Sequence, residues 1–240
     1  MKKTYPKKLR SGDKICVIAP ARSLAIISED CRQIADERLT QMGLEIVFSQ
    51  HAEESNELLS SSIKSRVEDL HTAFADAQIK AILTVIGGFN GNQLLQYINW
   101  DLIKKNPKIF CGFSDITVLN NAIFAKTGLV TYSGPHYSTF GQKLYFDYTL
   151  EYFRKCLFSS APFDILPSKS WSDDVWYKDQ NNRDLIVNKG WLIINEGKAE
   201  GAILGANLGT FNLLQGTEFI PQFEGTILFL EECAPAKAWD

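Results

Sequence analysis

The sequence predicts an α/β fold: an N-terminal parallel sheet flanked by helices, followed by a smaller, strand-rich C-terminal domain. Three observations predict it. Short continuous apolar runs such as "KICVIAP" alternate with segments of helical period through the first half of the chain, as expected of parallel strands buried on both faces and crossed over by helices. Beyond about residue 160 that rhythm stops in a polar, turn-rich stretch. Glycine-punctuated strands take its place.

Taken in order, "KICVIAP" is the first strand, and residues 28–42 carry apolar side chains at helical spacing before Gly43, a residue suited to end a helix. "LEIVFS" reads as a second strand and residues 63–77 as a second helix. "AILTVIGG" is a third strand, "NQLLQYI" a helical piece, "KIFCG" a fourth strand, "ITVLNNAIFAKTG" a helix and "LVTYSG" a closing strand. Repeated βα units of this kind build a parallel sheet. The stretch "SKSWSDDVWYKDQNNRD" has no sustained period, whereas "GWLIINEGKAEGAILGANLGTF" and "GTILFLEE" read as short strands. A boundary near residues 160–168 divides the chain into an N-terminal α/β domain, 1–162, and a linker insert with a partial C-terminal domain, 163–240.

Composition narrows the function classes. A chain of 240 residues, 45% hydrophobic and 22% charged, has the make-up of an ordinary globular protein. Its net charge of −3 and pI near 5.7 give no electrostatic footprint for nucleic acid or anionic membrane. The start, "MKKTYPKKLRSGD", is basic but runs into polar residues, and the apolar run from Ile15 is broken by Pro20 and Arg22, too short to span a bilayer. The five cysteines, Cys16, Cys31, Cys111, Cys156 and Cys233, are scattered without zinc-site spacing. Free thiols in a cytoplasmic protein are expected.

Open α/β sheets bind ligands outside the carboxyl ends of their strands. Three turns of this chain belong there: Pro20-Ala21-Arg22-Ser23, Gly87-Gly88-Phe89-Asn90 and Gly112-Phe113-Ser114-Asp115. A serine at a strand-to-helix joint either caps the helix or serves as a nucleophile lifted above the sheet. Ile116 stands where G-x-S-x-G has its second glycine, so this motif alone favours the cap. Gly87 and Gly88 offer bare backbone amides that, paired with the amide of Asp115, suit an oxyanion hole; alone they are as consistent with a simple turn. The glycines lack dinucleotide-binding spacing, and no P-loop G-K-[ST] is present.

The neighbouring residues weigh for the nucleophile. "GGFNGNQLLQYINWDLIKKNPKIFCGFSDITVLNNAIFAKTGLVTYSGP" closely resembles the LD-carboxypeptidase and microcin C immunity family of serine peptidases. In that family a Gly-Gly loop, an Asn-Pro-Lys strand start, a G-[FY]-S-D-x-T turn and a Thr-Gly-Leu…Gly-Pro segment follow in this order. "GAILGANLGTFNLLQGTEFIPQFEGTILFLEE" is similar to its G-G-N-L, G-T…P and L-F-L-E-[DE] elements, with Ala206 in place of a glycine. The resemblance implies a Ser-Glu-His triad in that chain order. Ser114 matches the nucleophile, and Glu231 the carboxylate that orients the histidine. The Asp115 amide and the Gly88 region match the oxyanion hole. Asn207 and Phe89 fall where the substrate is bound, and no metal or other cofactor is implied. Glu232 is a rival to Glu231, but strand alternation points the two to opposite faces.

The family's histidine follows its glutamate, whereas His51, His71 and His136 all precede Glu231. The chain is therefore expected to be a truncated form, with apolar surface left open near "GTILFLEE". His136 lies nearest the candidate turn but does not match the family's base. Members similar to the microcin C immunity protein carry an aromatic insert able to stack on a nucleobase. Trp171, Trp176, Tyr177 and Trp191 are platforms of that kind; for Trp191, which opens an apolar run, packing is the preferred reading, and Trp176 is taken as the substrate contact. The expected function is metal-free amide hydrolysis of a small peptide, either a murein L,D-tetrapeptide or a microcin-like aminoacyl nucleotide. The immunity branch is slightly favoured, and a homodimer is expected. The rival is a catalytically weak ligand-binding remnant of the same fold.

Overall fold

The computed structural model describes residues 2–232, so Cys233 lies outside the described residues. Four parallel strands form the sheet: β1 (Lys14–Ile18), β2 (Glu45–Phe48), β3 (Ile79–Thr84) and β4 (Ile109–Cys111), in the order β2-β1-β3-β4. Their apolar runs are continuous because both faces are covered. Val17, Leu83 and Ile109 face one core cluster, whereas Ile18, Ile82 and Phe110 face the other. This alternation follows the two-residue period of a strand.

Helices supply the two covers. α1 (Glu29–Gln41) starts with Glu29 and Asp30 in its first turn, the charge that the positive helix N-terminus favours. It buries Cys31, Ala35 and Leu39 on the first cluster. α2 (Ile63–Ala75) is capped by Ser62, whose hydroxyl accepts the Ser65 amide at 3.0 Å, and buries Leu70 and Phe74 on the second. α3 (Trp100–Lys105), which periodicity in the sequence did not reveal, is a six-residue helix capped by Asn99. α4 (Thr117–Thr127) is buried along most of its length and ends at Gly128. α5 (Asp147–Phe158) lays Phe153 and Leu157 on the first cluster.

Several expectations need correction. "NQLLQYI" forms a 3-10 turn over Gly91–Leu94, not an α-helix. "LVTYSG" makes only isolated bridges, Thr4 to Leu129 and Cys111 to Tyr132. The C-terminal region holds a two-residue antiparallel pair, β5 (Ser170–Trp171) with β6 (Ile186–Val187). It also holds a parallel pair, β7 (Ala202–Asn207) with β8 (Thr226–Glu231), and the short helix α6 (Leu208–Asn212) between them. Residues 191–201 are not a strand, and Trp191 is 67% exposed rather than packed. Two side-chain bonds join β7 to α4: Asn121 Nδ2 donates to Gly205 O at 2.9 Å, and the Asn207 amide donates to Thr117 Oγ1 at 3.2 Å. Residues Ile227 to Leu230 of β8 remain exposed. Cys16, Cys31, Cys111 and Cys156 are free thiols, and among the described residues no helix is long and apolar enough to cross a membrane.

Candidate active site

β4 ends at Cys111, and the backbone then turns so sharply that Ser114 adopts φ +57°, a left-handed conformation that non-glycine residues avoid. The helix-capping position is filled by Phe113, so Ser114 stands inside the 3-10 turn Ser114–Ile116 that leads into α4. The serine is half-buried, and Phe113 beside it is exposed. Asn120, one turn into α4, donates to Gly112 O at 2.8 Å and ties the helix back to the turn.

The three strand-end turns do converge. Gly87 packs directly on the serine: a Cβ built there would lie 3.0 Å from both Ser114 Cβ and Ser114 Oγ. A Cβ built on Gly88 would meet Ala21 and Arg22 of the first turn, so the two glycines bring the other two turns together, Gly87 against the serine and Gly88 against Ala21 and Arg22. Phe89 is 85% exposed and lies under the Arg22 guanidinium, 5.3 Å from ring centroid to Cζ.

Two buried charged side chains weld these turns together. Asp115 Oδ2 accepts the amides of Asn90 at 3.0 Å and Gly91 at 2.8 Å. Burial raises its pKa, while those two amides and the Arg66 charge hold it down. Arg66, on α2, donates to Pro20 O at 3.2 Å, Asn90 O at 3.1 Å and Gln93 Oε1 at 2.7 Å. Sequence reasoning named the Asp115 amide and missed both side chains. A signal for Arg66 was present, since it lies three residues after Ile63 and four before Leu70, on the apolar face of α2.

Glu231 closes β8 directly across from Asn207 on β7, and β7 packs against the Ser114–Ile116 turn. Glu231 Oε1 is buried and makes no hydrogen bond among the described residues. Burial raises its pKa, Asn207 lowers it, and the Glu232 charge raises it further. Glu232 is committed elsewhere: it accepts from the Gly209 amide at 3.0 Å and from Asn207 Nδ2 at 3.3 Å. Asn207 Oδ1 in turn caps α6 through the Thr210 amide. Trp176 is not brought to this cluster by any contact described. It is half-buried against the first core cluster and edge-on to Tyr177 at 5.9 Å. None of the three histidines is an open base. His51 pairs with Asp69, His71 accepts the Asn99 amide, and His136 is buried.

Known proteins resemble this chain over both of its halves. The model of the LD-carboxypeptidase N-terminal domain matches residues 15–134, and that of the LD-carboxypeptidase C-terminal domain matches residues 200–240. YocD of Bacillus subtilis, which carries a provisional carboxypeptidase name, is 54% identical over 228 residues, covering 95% of this chain and 70% of that protein. The microcin C7 self-immunity protein MccF of Escherichia coli is 33% identical over 232 residues, 93% of this chain and 67% of its own. The crystal structure of an MccF-like protein from Bacillus anthracis matches with a TM-score of 0.95 at 56% identity, over 95% of this chain and 70% of that one. MccF in complex with glutamyl sulfamoyl guanosine matches with a TM-score of 0.87 at 29% identity and the same coverage. A strained serine at the end of a parallel strand, matched domains on both sides of the insert and relatives of this similarity lead to one conclusion: the chain belongs to the LD-carboxypeptidase family of serine-type carboxypeptidase hydrolases.

Proposed function

We propose that Ser114 is the nucleophile of an amide hydrolase whose oxyanion hole is made by the backbone amides of Asp115 and Gly88. The observation that carries this reading is the left-handed Ser114, held against Gly87 at the mouth of the sheet; strain of this kind concentrates where function requires it. Ser114 Oγ adds to the substrate carbonyl and its proton passes to a base. The C–N bond then breaks as that proton reaches the leaving nitrogen, and water hydrolyses the acyl-enzyme. Glu231, with a buried and unpartnered carboxylate oxygen, is suited to orient an imidazole. In the family's chain order the base is a histidine that follows the glutamate, and none of the three histidines of this sequence follows Glu231.

Phe89, exposed beside Arg22, and Asn207, next to Glu231, line the approach to the serine in this reading. The substrate is a small peptide or an aminoacyl nucleotide. MccF bound to glutamyl sulfamoyl guanosine and to aspartyl sulfamoyl adenosine supports the nucleotide class, and a murein tetrapeptide carboxypeptidase of Pseudomonas aeruginosa, 32% identical over 123 residues, supports the peptide class. The full-length protein is to be assayed on an L,D-linked murein tetrapeptide and on aspartyl sulfamoyl adenosine. Ser114→Ala is expected to abolish turnover of whichever is cleaved; retained turnover would refute the nucleophile. Activity confined to the adenylate and lost in Trp176→Ala places the protein with the immunity branch.

A further inference from the structure

His136 is buried where the mechanism makes no use of it. Its segment runs between the ends of the two strands that release the site's loops. The Tyr137 and Ser138 amides donate to Thr84 O at 2.9 Å and Val85 O at 3.0 Å, along the exit of β3. On the other side, the Gly112 amide donates to Tyr132 O at 3.1 Å and the Tyr132 amide to Phe110 O at 2.9 Å, along β4. The imidazole is 2% exposed. Its Nδ1 lies 2.8 Å from Thr84 Oγ1, three residues before Gly87, and its ring stacks on Phe113 with centroids 4.3 Å apart and planes 29° apart. Phe113 is the residue before Ser114.

Thr84 Oγ1 completes the bracket. It lies 3.3 Å from Cys111 O, and a Cβ on Gly112 would come within 2.1 Å of it. No other residue type lets the nucleophile turn approach β3 this closely. His136 Nε2 has no hydrogen-bond partner among the described residues. An apolar side chain of this size would avoid the desolvation cost of that nitrogen, so the imidazole needs a reason to be here.

We infer that His136 is a positioning residue of the hydrolytic site: it holds Phe113 by its face and Thr84 by Nδ1, and so sets the Ser114 turn against the Gly87–Gly88 loop. The inference rests on the reading of Ser114 as nucleophile. Burial pushes the imidazole pKa down to about 3, with the Phe113 backbone beside it acting in the opposite direction. The ring is therefore neutral at any ordinary working pH. It fixes geometry and transfers no proton.

The test uses full-length protein and two readouts: hydrolysis of aspartyl sulfamoyl adenosine, and labelling of Ser114 by a fluorophosphonate, in which the serine oxygen bonds phosphorus and fluoride leaves. His136→Phe keeps the stack and loses the bond to Thr84, and Thr84→Val loses the same bond from the other side. Each is expected to lower kcat and the labelling rate roughly ten- to a hundredfold, the effect of a small misplacement of reacting groups. KM should stay within about twofold, since only transition-state geometry is lost. The shape of the pH–rate profile should not change, the double variant should be no worse than the single ones, and Thr84→Ser should keep nearly the full rate. An unchanged kcat in folded His136→Phe or Thr84→Val overturns the inference, as does a loss confined to KM. A displaced pH profile also overturns it, by making His136 a proton carrier. If His136→Phe does not fold, Thr84→Val carries the same test. Ser114→Ala separates the two levels: if it stays active, the nucleophile reading falls and the inference falls with it. If Ser114→Ala is dead while His136→Phe is fully active, only the inference falls.

Discussion

Asp115 grips Gly91: its Oδ2 accepts the Gly91 amide at 2.8 Å, and the Asn90 amide at 3.0 Å shares the same oxygen. One carboxylate thus binds the loop that follows Gly87 and Gly88 to the turn that carries the serine. Asp115→Ala leaves two backbone donors without a partner and is expected to cost about 2–4 kcal/mol. Asp115→Asn keeps an acceptor oxygen in place and should cost within about 1 kcal/mol. Urea unfolding of the two variants decides whether hydrogen bonding or charge is the main contribution.

The strain at Ser114 is predicted to be measurable. With φ at +57°, glycine is more at ease here than any residue with a Cβ, by about 1 kcal/mol. Ser114→Gly should raise the melting temperature while abolishing hydrolysis. Ser114→Ala should abolish hydrolysis without the gain. Equal melting temperatures for the two variants would show that the turn is not strained.

Ala206 makes the same argument without the catalytic cost. It stands where the family has glycine, and it holds φ +110°, a region nearly reserved for glycine. Ala206→Gly is predicted to stabilise the protein by about 1–2 kcal/mol. A neutral or destabilising result by differential scanning calorimetry contradicts this.

Glu231 is half-buried with one carboxylate oxygen out of reach of solvent, and its pKa is raised chiefly by desolvation. The folded state therefore holds the proton more firmly than the unfolded chain does. The cost of ionising it appears as pH rises through the carboxylate range and is fully present above the folded value. Glu231→Gln should be more stable than the parent at neutral pH, with the difference shrinking in acid, and it should lose hydrolytic activity. A variant less stable than the parent at neutral pH would mean that the charge is paired.

His51 behaves in the opposite sense. Its Nδ1 lies 2.7 Å from Asp69 Oδ1, and that hydrogen bond raises its pKa above the ordinary 6.5. The stabilisation is fully present below the unfolded value and is lost as pH rises through the folded one. Stability should fall as pH rises above the ordinary 6.5 and through the raised folded value, and His51→Gln should flatten that slope. Unfolding free energies measured across this range provide the check.

Much of the N-terminal half was legible because its signals are local. The apolar run "KICVI" became β1, Ser62 capped α2 where the helical period began, and Gly128 ended α4. The convergence of the three strand-end turns also followed from sequence, since parallel strands joined by crossovers release their loops on one edge. α3 and α5 were missed: α3 is only six residues long, too short for a period to stand out, whereas Leu150, Phe153 and Leu157 of α5 do recur at helical spacing, a signal that was present in the sequence. The C-terminal region was read less well. Leu192, Ile193 and Ile194 form an apolar run of the kind a buried strand has, yet all three are exposed.

By itself the sequence determined the parallel βα order, the serine at the strand-to-helix joint and the chain order of serine and glutamate, because each rests on neighbouring residues or on motif spacing. Tertiary structure alone decided which glycine touches the serine, which glutamate is left with a free buried oxygen, and that Asp115 and Arg66 fasten the loops. It also decided that Trp176 lies against the core and that burial depresses the pKa of His136. These outcomes depend on burial and on contacts between residues far apart in the chain. Desolvation and hydrogen-bond geometry are properties of the assembled interior, and no local pattern encodes them.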